Sequence, residues 1–220
     1  MGIVYPNFEQ GLLIVESVFY FYGTEATQTL AAEVARRTAH LWNAPGAEVA
    51  IDGTFLKVVF RISGHAQPRL LPQEVWYNTN PANNYFRVES YCVHDVSFVD
   101  GVGSNSGYFK LANLQHTPTT AAHEYGHSLG LDHPAYLDIR GMGQPGIMYP
   151  RGTVVDGQFQ YNAAAEPGNG PMGGTMDAAK RLVLDEDVLN LGLHKLRFRD
   201  GVAVLGSFTA QYHEAHVPQF

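Results

Sequence analysis

The segment HEYGHSLGLDH, which begins at His123, combines three histidines, one glutamate and two glycines in a short stretch. On an α-helix, His123 and His127 lie one turn apart on the same face, so both can reach a single ion. Glu124 is rotated by about 100° from His123, which suits a base that acts on a metal-bound water without being a ligand. The glycine after the helix permits a sharp reversal, and His133 can then supply a third nitrogen. The pattern predicts a metal site formed by these three histidines.

Three histidine ligands leave a tetrahedral zinc ion with one open position, which distinguishes a catalytic zinc from a structural one. Two histidines at helical spacing, or HExxH alone, also occur by chance in ordinary helices. The longer pattern HExxHxxGxxH fixes five positions, and a chance match in a chain of this length is on the order of 10⁻⁴ by residue frequencies. We therefore expect one catalytic zinc ion, with Glu124 as the general base.

The chain continues to the sequence GIMYP at residues 146 to 150. The long histidine motif followed by this methionine turn resembles the metzincin clan of zinc endopeptidases, and HEYGHSLGLDH with IMYP is most similar to the matrix-metalloproteinase type of catalytic domain. The resemblance covers mainly residues 107 to 150. It implies that Met148 forms a hydrophobic floor beneath the metal and that Tyr149 and Pro150 contribute to the substrate pocket. Taken alone, a methionine is more often an ordinary core residue.

The activity that this resemblance implies is hydrolysis of peptide bonds by a zinc-activated water, with Glu124 taking the proton and returning it to the leaving amine. An extended polypeptide substrate would add as a strand to the sheet edge near Gly107 to Asn113. Two alternatives remain open, namely a non-peptidase zinc amidohydrolase and a catalytically silent binding domain. The intact Glu124 argues against the silent domain, because a protein without turnover has no need of the base.

Other parts of the sequence differ from the matrix-metalloproteinase pattern. The segment VSFVDGVGSNSGYFKLANLQHTP lacks the histidine and aspartate pattern of a structural zinc and calcium site, so a second zinc is not expected. Asp100 in this segment could help to bind calcium, although a solvated turn is the favoured interpretation. Cys92 does not lie in a propeptide switch motif and is predicted to be a small buried hydrophobe. The remaining histidines have no spacing that suggests a ligand set, and we expect them to be solvated or hydrogen-bonded.

Composition places the chain among single-domain proteins, with an upper subdomain at about residues 1–133 and a lower one at about 134–220. The chain has 220 residues, of which 45% are hydrophobic, which is enough for one large core. A net charge of −7 with 14 lysines and arginines offers no basic run for nucleic acid. No apolar stretch approaches the roughly 18 to 20 residues that span a bilayer. The first residues lack the features of a signal peptide, so secretion is expected from the resemblance alone. We favour a monomer.

The segments around the motif predict an α/β fold of the α+β type, with a twisted mixed sheet, the active helix, and a small irregular C-terminal subdomain that ends in a helix. Strands are predicted at residues 12–23, 54–63, 85–93, 95–101, 106–113 and 202–208, with a further short strand at EVWY (residues 74–77). Helices are predicted at residues 25–42, 118–129 and 185–196. Thr24 and Thr117 are the predicted caps of the first two helices, with Pro118 at the first position of the second. Residues 65–84 are predicted to be an irregular connection and residues 151–176 a long mobile loop.

Overall fold

The computed structural model describes residues 1–170 and 172–218 and shows a mixed α/β fold built on a curled mixed sheet. Within these ranges the strands are β1 (Gly2–Asn7), β2 (Leu12–Tyr22), β3 (Glu48–Ile51), β4 (Thr54–Ala66), β5 (Asn83–Glu89), β6 (Phe98–Val99), β7 (Ser106–Lys110) and β8 (Ala203–Leu205). The helices are α1 (Gln28–Asn43), α2 (Pro72–Trp76), α3 (Leu111–His116), α4 (Thr120–Ser128) and α5 (Asp185–Asn190). No helix in these ranges combines the length and apolar character that crossing a membrane requires.

The sheet has the strand order β3-β4-β2-β5-β7-β6, and β1 pairs with both β2 and β8. Strands β4, β2, β5 and β7 run parallel to one another, whereas β3 is antiparallel to β4, β1 to β2 and β6 to β7. Strand β6 therefore forms the outer edge, with Val99 opposite Gly107. The prediction that a substrate adds to an edge strand near Gly107 to Asn113 is therefore wrong, because β6 lies outside β7 and is itself the edge strand. The chain also turns into α3 at Leu111. A two-residue strand is too short to produce an alternating pattern that the sequence could reveal.

Helix α1 covers one face of the sheet and buries Val34 and Trp42 in the core, as its periodicity predicts. It begins at Gln28, one turn later than predicted, because Thr27 caps it by accepting a hydrogen bond from the Leu30 amide (3.2 Å). Thr24, the predicted cap, instead donates its hydroxyl to the Glu89 carboxylate. Because Thr24 is hydrogen-bonded to Glu89 of β5, Thr27 is the residue that caps the helix.

Two further predictions about elements are wrong. The segment EVWY belongs largely to helix α2, because Pro72 stands at its first turn and the Glu74 carboxylate accepts the Leu71 amide at 2.8 Å. The helix predicted to run to residue 196 ends at Asn190, because Gly192 has a φ of 63° and breaks it before a short 3₁₀ turn. The long loop at 151–176 contains one 3₁₀ turn and no α-helix or strand in its described residues, which exclude residue 171.

The C-terminal segment returns to the sheet, where β8 pairs with β1. Further along, the ring of His213 lies 2.8 Å from Asp100, and Ser106 donates its hydroxyl to the same carboxylate at 2.6 Å. Asp100 is therefore not in a solvated turn, because its side chain is only 7% exposed and both its oxygens have protein partners. Cys92 is buried, as predicted.

Candidate metal centre

Helix α4 carries the first two candidate ligands and starts two residues later than predicted. Thr117 is not its cap, because the Thr117 amide closes helix α3 by donating to the Asn113 carbonyl. The face of α4 that carries Tyr125 is buried: Tyr125 is 1% exposed, and its hydroxyl lies 2.8 Å from that of Ser17. Trp42 of α1 donates its indole N–H to the carbonyl of Ala122 at 3.0 Å, which fixes the helix against the core.

The turn after α4 brings the third histidine back to the helix. Gly130 has a φ of 107°, a conformation that L side chains rarely adopt, so glycine is needed there. The Leu131 amide then donates to the Gly126 carbonyl at 3.0 Å and closes the helix end. The reversal predicted from the glycine is confirmed.

His123, His127 and His133 converge at one point, where their ligand atoms all lie within 4.8 Å of one another. The Nε2 atom of His133 is 3.1 Å from the Nε2 atoms of both His123 and His127. In tetrahedral coordination with zinc–nitrogen bonds of about 2.0–2.1 Å, two ligand nitrogens are about 3.3 Å apart. The spacing of the three rings therefore fits a small transition-metal ion.

The hydrogen bonds of the rings also fit a metal site. The Nδ1 atom of His123 lies 2.7 Å from the Ile147 carbonyl, and that of His127 lies 2.8 Å from the Leu131 carbonyl. Donation to these carbonyls places the proton on Nδ1 and leaves the Nε2 lone pairs facing each other, an arrangement that a cation would stabilise. Burial lowers the pKa of all three histidines, which favours the neutral form that binds metals. The triad could therefore hold a metal ion, and imidazole ligands suit zinc, copper, nickel and iron alike.

Glu124 follows the first histidine and is 8% exposed. Its Oε2 atom accepts the backbone N–H of Val99 at 3.2 Å, so the edge strand β6 holds the carboxylate. Burial raises the pKa of Glu124 to about 8, and the positive charge of Arg181 partly opposes this shift. A buried carboxylate with a pKa near neutrality is typical of a general base or acid.

Met148 is 3% exposed and packs directly beneath the helix. A Cβ atom built on Gly126 would lie 2.3 Å from the Met148 sulfur, so any larger residue would force the Met148 side chain to move. Asp187 supports the turn that carries Met148, because its Oδ2 atom accepts the Ile147 amide at 3.2 Å and the Leu184 amide at 2.8 Å. Sequence reasoning assigned no such role to Gly126 or Asp187, although a glycine within a helical motif could have suggested a close contact.

The two residues predicted for the substrate pocket lie just after Met148. Tyr149 lines a cavity of about 460 Å³ that also contacts Met148 and the first turn of α5. Pro150 is not among the residues that line this cavity, and its carbonyl accepts the hydroxyl of Thr153 at 2.7 Å. Sequence reasoning also missed Arg181, whose guanidinium lies 2.9 Å from the Nδ1 atom of His123.

Comparison with known protein families and with curated proteins finds no match to this chain.

Proposed function

We propose that the chain is a zinc-dependent endopeptidase of the metzincin type, with His123, His127 and His133 as zinc ligands and Glu124 as the general base. The observation that carries this proposal is the convergence of three imidazole rings, two of them on the helix that also bears the buried carboxylate of Glu124. The histidine motif, the buried Met148 and the mixed sheet support the metzincin assignment. Polypeptide substrates, secretion and a monomeric state are parts of the same proposal.

When bound, zinc supplies a Lewis acid that activates water and polarises a carbonyl group. Glu124 takes up the proton that the attacking water loses, holds it on a carboxylate oxygen and delivers it to the leaving amine. Burial of Glu124 favours uptake of that proton by its carboxylate. The carbonyls of Ile147 and Leu131 fix the ring orientations of the first two ligands through their Nδ1 atoms.

The edge strand β6 offers a place for the substrate backbone. The Asp100 amide donates inward to the Ser106 carbonyl of β7 at 3.0 Å, so the neighbouring Val99 presents its backbone groups outward. The outward Val99 N–H already contacts Glu124, which places this edge next to the proposed base. We propose that an extended substrate adds to the sheet along β6, with its scissile bond near Glu124.

Hydrolysis with and without metal tests this function. The zinc-loaded chain is incubated with an unfolded protein and a diverse peptide library, and in parallel with small acylated amines, while zinc content is measured in the same samples. We expect peptide cleavage that a chelator abolishes and added zinc restores. Glu124→Gln should keep zinc and lose at least about 10³-fold in kcat, whereas the matched change at exposed Glu9, Glu9→Gln, should change nothing.

Three results would contradict the proposal. Near-normal turnover by Glu124→Gln would show that Glu124 is not the general base. Turnover of small amides without cleavage of any peptide would favour an amidohydrolase. Stoichiometric zinc binding without turnover of either substrate class would favour a silent binding domain.

A further inference from the structure

The C-terminal segment, residues 208–216, lies against the sheet but forms neither a helix nor a strand. Side chains attach it to the sheet. The Thr209 amide donates to the side-chain oxygen of Asn105 at 2.9 Å, and the Tyr212 ring stacks on Tyr22 with 5.1 Å between the ring centroids. The segment is therefore held by specific side-chain contacts, each of which can be removed by a single substitution.

The backbone of His213 fixes this segment to two central strands of the sheet. Its amide donates to the Tyr22 hydroxyl at 2.9 Å, and its carbonyl accepts an N–H of Arg87 at 2.9 Å. Tyr22 belongs to β2 and Arg87 to β5, and both residues are buried. Arg87 is in turn held by its ion pair with Glu89. The middle of the sheet therefore determines where the His213 side chain points.

The side chain of His213 reaches the end of the edge strand β6. Its Nε2 atom lies 2.8 and 3.0 Å from the two oxygens of Asp100, the residue that directly follows β6. An ionised carboxylate only accepts hydrogen bonds, so the ring N–H is the donor. The side chains of His213 and Asp100 are 9% and 7% exposed, so water competes little for this bond. The ring also packs edge-on against Phe98 of β6, with 5.7 Å between the ring centroids.

Strand β6 has little support of its own. It consists of two residues, and in the part of the chain that the structure describes it pairs with β7 alone. Phe98 stacks on Tyr108, and Asp100 bonds to Ser106, so these further contacts lead to the same neighbour. A ladder this short contains few hydrogen bonds and opens readily unless another contact fixes it. His213 supplies such a contact, because it connects the end of β6 to β2 and β5.

The position of β6 matters for the proposed base and for the substrate. The Val99 amide donates to Glu124 at 3.2 Å, and the proposed substrate adds along the same strand. A displacement of about 1 Å in such a site can cost about 100-fold in rate. We infer that His213 is a positioning residue that acts through Asp100 to hold β6 where the substrate backbone and Glu124 require it. This inference rests on the proposed peptidase function.

Steady-state kinetics of the zinc-loaded full chain test the inference with an internally quenched peptide. His213→Leu removes the donor to Asp100 and should raise KM by about tenfold, because the substrate loses an ordered strand to bind. In His213→Gln, an amide N–H replaces the ring N–H, and KM should return to within about threefold of the wild type. His216→Leu is the matched control, because His216 lies in the same segment but stacks on Tyr108 of β7. It should leave KM unchanged.

A merely structural role for His213 would give a different kinetic result. Partial unfolding reduces the concentration of active enzyme, which lowers the apparent kcat and leaves KM unchanged. An unchanged KM in His213→Leu, or an equal rise in His216→Leu, would therefore overturn the inference. Equal KM values in His213→Gln and His213→Leu would overturn it as well, because they would exclude the hydrogen bond to Asp100 as the cause.

Amide hydrogen exchange of the wild type tests the same contact without turnover. The Asp100 amide bonds to the Ser106 carbonyl at 3.0 Å and reports on β6, whereas the His213 amide, bonded to Tyr22, reports on the C-terminal segment. If His213 holds β6, both open together, and we expect their protection factors to agree within about tenfold. A larger difference in either direction would overturn the inference. If no peptide is cleaved, the peptidase proposal fails, and this measurement alone decides whether His213 holds β6. It decides equally if His213→Leu does not fold.

Discussion

Replacement of Gly126 by alanine probes the packing under the candidate metal centre. The new Cβ would lie 2.3 Å from the Met148 sulfur and 3.2 Å from the Cζ2 atom of Trp42. Non-bonded heavy atoms normally approach to about 3.5–4.0 Å, so the methyl group overlaps the sulfur by about 1.2–1.7 Å. Met148 is 3% and Trp42 1% exposed, so the methyl group can be accommodated only if the Met148 side chain shifts towards the cavity that it lines.

Two opposing effects determine how much Gly126→Ala changes the free energy of unfolding. In an unconstrained helix, alanine is more favourable than glycine by about 1 kcal/mol. Overpacking a filled core costs about 1–3 kcal/mol, and an overlap of this size lies in the upper part of that range. We therefore expect Gly126→Ala to lower the free energy of unfolding by about 1–2 kcal/mol. For a domain of this size, Tm falls by about 2–4 °C per kcal/mol.

A double-mutant cycle separates the steric effect from a change in helix propensity. Denaturant unfolding and calorimetry are applied to Gly126→Ala, Met148→Ala and the double variant. Because truncation of Met148 makes room for the new methyl group, the double variant should be more stable than the sum of the single losses predicts. Unchanged or higher stability in Gly126→Ala, or strict additivity in the double variant, would refute the steric reasoning.

Three further predictions follow from metal binding, the buried ion pair and the pKa of Asp187. Saturating zinc at about 100 times its Kd should stabilise the chain by about 2.7 kcal/mol, seen in calorimetry as a rise in Tm that a chelator reverses, and His133→Ala should remove most of that rise. Arg87 and Glu89 form an ion pair whose side chains are 10% and 7% exposed, so Arg87→Met should cost about 3–5 kcal/mol in urea unfolding, and a loss below about 1 kcal/mol would contradict this. Burial raises the pKa of Asp187, so its proton is held more tightly in the native than in the unfolded state, and its contribution to stability falls as pH rises above about 3.9. The stability of the wild type relative to Asp187→Asn should therefore decrease between about pH 3 and pH 7, and parallel curves would exclude the effect.

The convergence of the candidate metal ligands could be predicted from the sequence because they lie within one short segment. Helical spacing alone determines that His123 and His127 share a face, and one glycine accounts for the return of His133. Arg181 could not be found in this way, because it lies 58 residues from His123 and reaches it through tertiary packing. No local pattern marks such a contact. By residue type, Asp187 suits the start of a helix, and no local pattern indicates its hydrogen bond to the Ile147 amide, 40 residues away.

The errors in element boundaries have the same origin. Thr24 and Thr27 are both suitable helix caps by residue type, and the choice between them depends on Glu89, which lies 65 residues from Thr24. At the edge of the sheet, the two residues of β6 carry almost no signal of their own. Their pairing depends on Gly107, where a Cβ atom would lie 2.4 Å from the Phe98 carbonyl oxygen. The strands with long apolar runs, β2 and β4, were located because their signal is local.

The pairing of β1 with β8 has a consequence for synthesis of the chain on the ribosome. Ile3 lies opposite Val204, so one side of β1 remains without its neighbour until about 200 further residues have been synthesised. During that time its amides and carbonyls could bond to another nascent chain, which makes this strand the place where a chaperone would be most useful.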